Sequence, residues 1–146
     1  MINKNFFGFV VVAALSVGLV GCGSSNPDAD TIDEIFGGEE VNGCDAASAV
    51  DRRGETAVTI TDIDAWGDPH SACIVVSPGT EVTWKGNFDE HPLVGGTSPD
   101  TSPGSPITEA DASGTDDVTV TFNAGGLFPY FCDIHRTTML GVVAVP

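Results

Sequence analysis

Positive charge is scarce in this 146-residue chain: five Lys and Arg stand against 21 Asp and Glu, for a formal net charge of −16. One of the five, Lys4, lies ahead of an N-terminal apolar run. Beyond it four basic residues face all 21 acidic ones, a net of −17. Such a balance argues against nucleic acid and anionic membrane surfaces as partners; it fits a body that attracts basic partners and equally a simply well-solvated acidic surface. Histidine and methionine are nearly absent too, at three His and two Met, one of the latter being the initiator. Chemistry that needs imidazole or thioether must therefore draw on His70, His91, His135 and Met139. No stretch of the body has a helical hydrophobic period and no segment repeats, which excludes bundles and solenoids.

Only one run is long and apolar enough to concern a membrane. "MINKNFFGFVVVAALSVGLVGC" has one Lys, an apolar segment from Phe6 to Val20 and a small-residue close. That is the build of a secretory signal rather than a spanning helix. Its end, Leu19-Val20-Gly21-Cys22, resembles the lipobox of bacterial lipoproteins, where the Cys receives a diacylglycerol and becomes the new N-terminus. Residues 1–21 are then a lipoprotein signal peptide and Cys22 the lipidation site. The mature protein is then expected to be exported and lipid-anchored to a membrane, facing the periplasm or the cell exterior. Residues 22–40, "CGSSNPDADTIDEIFGGEE", hold only Ile32, Ile35 and Phe36 as larger apolar groups. They cannot bury enough surface to offset their ordering entropy and are expected to be a flexible acidic tether, with at most a short amphipathic turn at Ile32–Phe36. The folded body is a single domain, residues 41–146.

The body reads as β throughout. "TAVTITDID" alternates, with Val58 and Ile60 on one face. "CIVVSPGTEVTWKG" is two apolar runs around a Ser77-Pro78-Gly79-Thr80 turn, in which Pro fixes φ and Gly permits a left-handed residue. "DVTVTF" alternates again with Val118, Val120 and Phe122 inward, and "LFPYFC" and "GVVAV" supply the last strands. Many short strands with Gly/Pro turns indicate a sandwich or barrel, and seven or eight strands in two packed sheets fit the length.

Of four cysteines, Cys22 belongs to the anchor, and Cys44 and Cys73 are the pair expected to form a disulfide in an exported protein. That bridge closes a loop of about 30 residues and stabilises the fold by about 3–4 kcal/mol. Cys132 is left as a free thiol in an oxidising compartment, where a bound metal protects it. Cys132-x-x-His135-x-x-x-Met139 offers a thiolate, an imidazole and a thioether in one short loop between two strands. Soft sulfur with imidazole selects copper, and a His₂Cys plane with a long axial Met is the blue-copper set. The second His comes from elsewhere. His91, in "KGNFDEHPLVGG", follows a strand and is the expected ligand; His70, in a polar turn near Cys73, is expected at the surface. Zinc rarely takes a thioether and fits this set poorly. A chance grouping of a buried Cys, a surface His and a core Met is the remaining alternative.

"FPYFCDIH…M…GVVAV" together with "FDEHPLVGG" resembles the cupredoxins, specifically plastocyanin-like blue copper proteins, over roughly Val58 to Val145. The resemblance implies a Greek-key β-sandwich with one copper ion at one end, under loops. It implies His91, Cys132 and His135 as equatorial ligands, Met139 as the axial one, and one-electron transfer between redox partner proteins. A basic c-type cytochrome or a membrane oxidoreductase would suit the acidic surface, with the carrier itself a monomer. Three His cannot furnish the further copper centres of multicopper oxidases or nitrite reductases, so no enzyme activity is expected. Copper delivery, storage or an accessory role is the alternative; the single mature Met favours the carrier. Two features depart from the plastocyanin pattern. Three residues, Arg136 to Thr138, separate His135 from Met139, and Pro92, which has no N–H, follows His91. Ile134 retains an N–H where many relatives have Pro, and is expected to donate it to the Cys132 sulfur. Pro92, Leu93 and Leu140 are expected to form an apolar surface patch around His135.

Overall fold

In the computed structural model a short helix, α1 (Ile32–Phe36), precedes eight strands: β1 (Val50–Asp51), β2 (Ala57–Thr61), β3 (Cys73–Val75), β4 (Thr80–Lys85), β5 (Leu93–Gly95), β6 (Val118–Phe122), β7 (Gly126–Cys132) and β8 (Leu140–Val145). The structure describes residues 31–61, 72–108 and 117–146. Residues 1–21, expected to be a signal peptide, Cys22 and His70 lie outside them. Among the described residues no helix is long and apolar enough to cross a membrane.

The alternating segments make the smaller sheet, in the order β2-β4-β6. Its register sets Val82 between Val58 and Val120, and Trp84 between Ile60 and Val118. Apolar residues at every second position therefore form columns on one face, while Thr59 and Thr119 look outward. The turn ahead of β4 is built as its sequence expects. Gly79 has φ 89°, and the Thr80 N–H donates to the Ser77 carbonyl at 3.1 Å, a type II geometry with Pro78 at its first corner.

The larger sheet runs β1-β3-β8-β7-β5, with β8 parallel to β3 and antiparallel to β7. Its central strands, "CIV" and "LGVVAV", are apolar without alternation and are covered on both faces. The inner face places Ile74, Tyr130, Cys132, Val143 and Val145 in one core with Trp84 and Phe122. The outer face, through Cys73, Val75, Val142 and Ala144, packs on Phe36 and Cys44. The result is the expected β-sandwich, nearly all strand, with a third layer over the larger sheet.

That layer is the chain from Thr31 to Ala49. Thr31 caps α1 in a capping box with Glu34, and Gly37, left-handed at φ 62°, ends it. Residues 31–40, expected to belong to a flexible tether, instead fold here: Ile32–Phe36 form this helix, and Phe36 is 2% exposed against the sheet. The outer face of a doubly apolar strand needs a lid, and this segment carries the apolar groups that provide one. The expected Cys44–Cys73 disulfide is present, with Cα atoms 5.5 Å apart, and fastens the lid to β3. Replacing Phe36 by Ala should lower the unfolding free energy by about 3 kcal/mol, the usual cost of emptying a Phe site. Urea denaturation measures this. An unchanged midpoint would mean that α1 adds nothing to the fold.

Candidate metal centre

The β7–β8 pairing ends with Phe131 opposite Leu140, and the next residues cross the end of the sandwich. The Cys132 N–H donates to the Met139 carbonyl at 2.9 Å, closing the crossing as a loop. Inside it the Thr138 and Met139 N–H groups both donate to the His135 carbonyl, at 3.1 and 3.0 Å. Arg136 Nε donates to the Asp133 carbonyl at 2.8 Å, and its guanidinium pairs with the Asp133 carboxylate. This short stretch thus satisfies much of its own backbone.

His91 reaches the same place from β4. Asn87 organises the turn before it: its side-chain oxygen accepts the Asp89 N–H at 3.2 Å, and its carbonyl accepts the His91 N–H at 2.9 Å. Phe88, buried in the core, fixes the turn from below. The Asp133 N–H donates to the Pro92 carbonyl at 3.0 Å, and Leu93 pairs with Cys132, so both ligand-bearing segments are joined directly.

His91, Cys132 and His135 converge as a group able to hold a metal ion. Nδ1 of His91 lies 3.1 Å from Nδ1 of His135, and Sγ of Cys132 lies 3.9 and 3.6 Å from the two nitrogens. A circle through points separated by 3.1, 3.6 and 3.9 Å has a radius of about 2.1 Å, close to a metal–imidazole or metal–thiolate bond. The donors therefore fit one ion at their centre. The two imidazole rings stack at 4.8 Å between centroids, 28° apart in plane. Cys132 is a free cysteine and 0% exposed, Met139 is 8% exposed in the same core cluster, and His135 is open to solvent. A thiolate, two imidazoles and a nearby thioether suit copper better than zinc. The site can hold one copper ion.

Beneath it, Tyr130 sits edge-on to Trp84, with ring centroids 5.2 Å apart. Its hydroxyl donates to the Ala72 carbonyl at 3.1 Å, and burial pushes its phenol far above the ordinary range, so it stays protonated. Among the described residues, Trp84 Nε1 is the buried side-chain polar atom without a hydrogen-bond partner.

Two expectations are corrected. Leu93 is no part of a surface patch: the β5–β7 pairing turns it into the core, fully buried, and Ile134, at 59% exposure, is the large apolar side chain exposed beside His135. The Cys132 sulfur has the two imidazole nitrogens as its polar neighbours, and no hydrogen bond from Ile134 N–H to it is formed among the described residues. Sequence reasoning also missed Asn87, although an Asn two residues before an Asp is a turn signal. It missed Asn42 and Ser98, whose contacts depend on long-range register.

No protein-family profile and no curated protein matches the sequence. Solved structures do. A reduced amicyanin variant is 21% identical, with 62% of this chain and 82% of that one covered and a TM-score of 0.41. A pseudoazurin from Methylobacterium extorquens AM1 is 17% identical over 61% of this chain and 74% of that one, with a TM-score of 0.44. A copper-containing nitrite reductase from Thermus scotoductus is 17% identical over 68% of this chain and 28% of that one, with a TM-score of 0.42.

The buried thiol gives a direct check. In the metal-free domain beginning after Cys22, an aromatic disulfide reagent should label Cys132 at least about 10-fold more slowly in the native than in the unfolded protein. Equal rates would place the sulfur in solvent.

Proposed function

We propose that this protein is a one-electron carrier that binds a single type 1 copper ion, held by His91, Cys132 and His135 with Met139 as the axial ligand. The observation that carries the reading is the triangle of two imidazole nitrogens and a buried thiol, sized for one ion. Copper bound there supplies reversible exchange of a single electron between its two oxidation states. The chain's part is to keep the donors still. Cys132 is held by β7 and by the Met139 carbonyl, His135 by two N–H groups on its carbonyl, and His91 by the Asn87 turn. Little then needs to rearrange when the charge at the site changes. His135 is the exposed donor, with Ile134 beside it, and is the natural point of electron exit and entry. A closed site, with Cys132 and Met139 buried, suits retention better than delivery of the ion to a partner.

We further read the protein as exported and lipid-anchored through Cys22, working as a monomer between redox partners, and not as an enzyme by itself. Each of the four basic residues beyond Lys4 is ion-paired: Arg52 with Glu55, Arg53 with Asp51, Lys85 with Asp117 and Arg136 with Asp133. The surplus of acidic groups is left to set the field, which favours a basic partner such as a c-type cytochrome.

The copper-loaded soluble domain should show an intense visible absorption band, abolished by Cys132→Ser and absent with zinc. A colourless copper-loaded protein overturns the type 1 reading. Association with a basic c-type cytochrome should slow at least about 10-fold between low and physiological salt. A flat salt response in stopped-flow removes the steering.

A further inference from the structure

Asn42 lies in the lid over the larger sheet, far in sequence from every residue of the metal centre. Its side chain nevertheless reaches the roots of the segments that carry the donors. Val41 and Cys44 exchange both backbone hydrogen bonds, at 2.9 and 2.8 Å, around a turn whose corners, Asn42 and Gly43, are left-handed at φ 51° and 74°. The disulfide from Cys44 to Cys73 fixes that turn against β3.

From this fixed turn the Asn42 amide makes contacts in three directions. Nδ2 donates to the Tyr130 carbonyl at 2.9 Å and to the Gly96 carbonyl at 3.1 Å, with the Gly141 carbonyl at 3.4 Å. Oδ1 accepts the Ser98 N–H at 3.0 Å. Tyr130 stands on β7 just before Cys132, Gly141 stands on β8 just after Met139, and Gly96 follows the strand that begins beside His91. Ser98 carries the connection onward: its hydroxyl donates to the Arg136 carbonyl at 2.6 Å, between His135 and Met139. Both donors and the acceptor of one primary amide are thus spent on backbone, all of it at the bases of the metal loops.

We propose that Asn42 is a positioning residue for the metal centre. It holds the 96–98 loop against the ends of β7 and β8, so that Ser98 can grip the ligand loop and set where His135 and Met139 stand. Asn42 is only half-buried, and what it supplies here is the relative placement of three segments. The proposal deepens the reading of this site as a copper centre and rests on it, but its first test needs no metal.

Asn42→Gly retains the left-handed turn and removes the amide together with its β-carbon; Ser98→Ala deletes only the hydroxyl. In the metal-free protein, amide hydrogen exchange at Thr138 and Met139, whose N–H groups bind the His135 carbonyl, should quicken at least about 10-fold in Asn42→Gly. Ser98→Ala should move the same amides less, Ser98→Thr should restore them, and the double variant should add nothing to Asn42→Gly. Val82 and Val120, in the other sheet, should exchange as before. In the copper-loaded protein the same variants should shift the visible band and hasten loss of copper to a chelator. Unchanged exchange at Thr138 and Met139, or equal acceleration at Val82 and Val120, overturns the proposal. A wild-type domain that takes up no copper ends the copper reading while the exchange result stands.

Discussion

The N–H of Cys132 and the carbonyl of Met139, bonded at 2.9 Å, mark the point where a rigid sheet gives way to a loop. Below that bond lies the β7–β8 ladder, running from Gly126 opposite Val145 up to Phe131 opposite Leu140. Above it, the backbone carries Cys132, His135 and Met139. Side chains from residues so close in sequence cannot choose their own spacing; the strands choose it for them. The bond also explains how a thiol can be buried fully while a histidine three residues later faces solvent. The chain has left the sheet between them.

The frame stays stiff because backbone and side chains approach too closely to leave play. Gly141 lies under the Tyr130 ring, where an added Cβ would collide with that ring. Gly95 is covered by Ser105 and Ile107 in the same manner, with no room for a side chain. The long turn-rich segment after β5 therefore packs down on the strand beside His91, with Ile107 as its buried foot. Close packing of this kind leaves the histidines and the thiol few alternative positions.

Much of this was legible in the residues themselves. Alternation in "TAVTIT" and "DVTVTF" marked two strands and their inward faces, because a half-buried strand must alternate. The Cys132–His135–Met139 grouping marked the loop, and the cysteine count marked the disulfide. What could not be read was the partner of each face. "CIV" and "LGVVAV" are apolar on both sides and so require two covers, yet nothing in "IDEIFGGEEVNGC" reveals that it is one of them. Its apolar residues are too few and too irregularly spaced to show a period. Leu93 was misplaced for a related reason: a leucine beside an exposed ligand faces in or out according to a strand register that its neighbours do not encode. Asn42 was invisible because its partners are all backbone, and backbone carries no residue identity.

The lid over the larger sheet also gives the molecule a direction. Helix α1 rests on β7 and β8, where Ile35 lines a recess with Gly126, Val145 and Pro146, at the opposite end of the strands from Cys132. The length of β7 separates the two ends by about 20 Å. Helix α1 thus stands at the heel of the sandwich, while the imidazole of His135 stands at its toe. The helix therefore braces the end of the strands remote from the candidate metal centre.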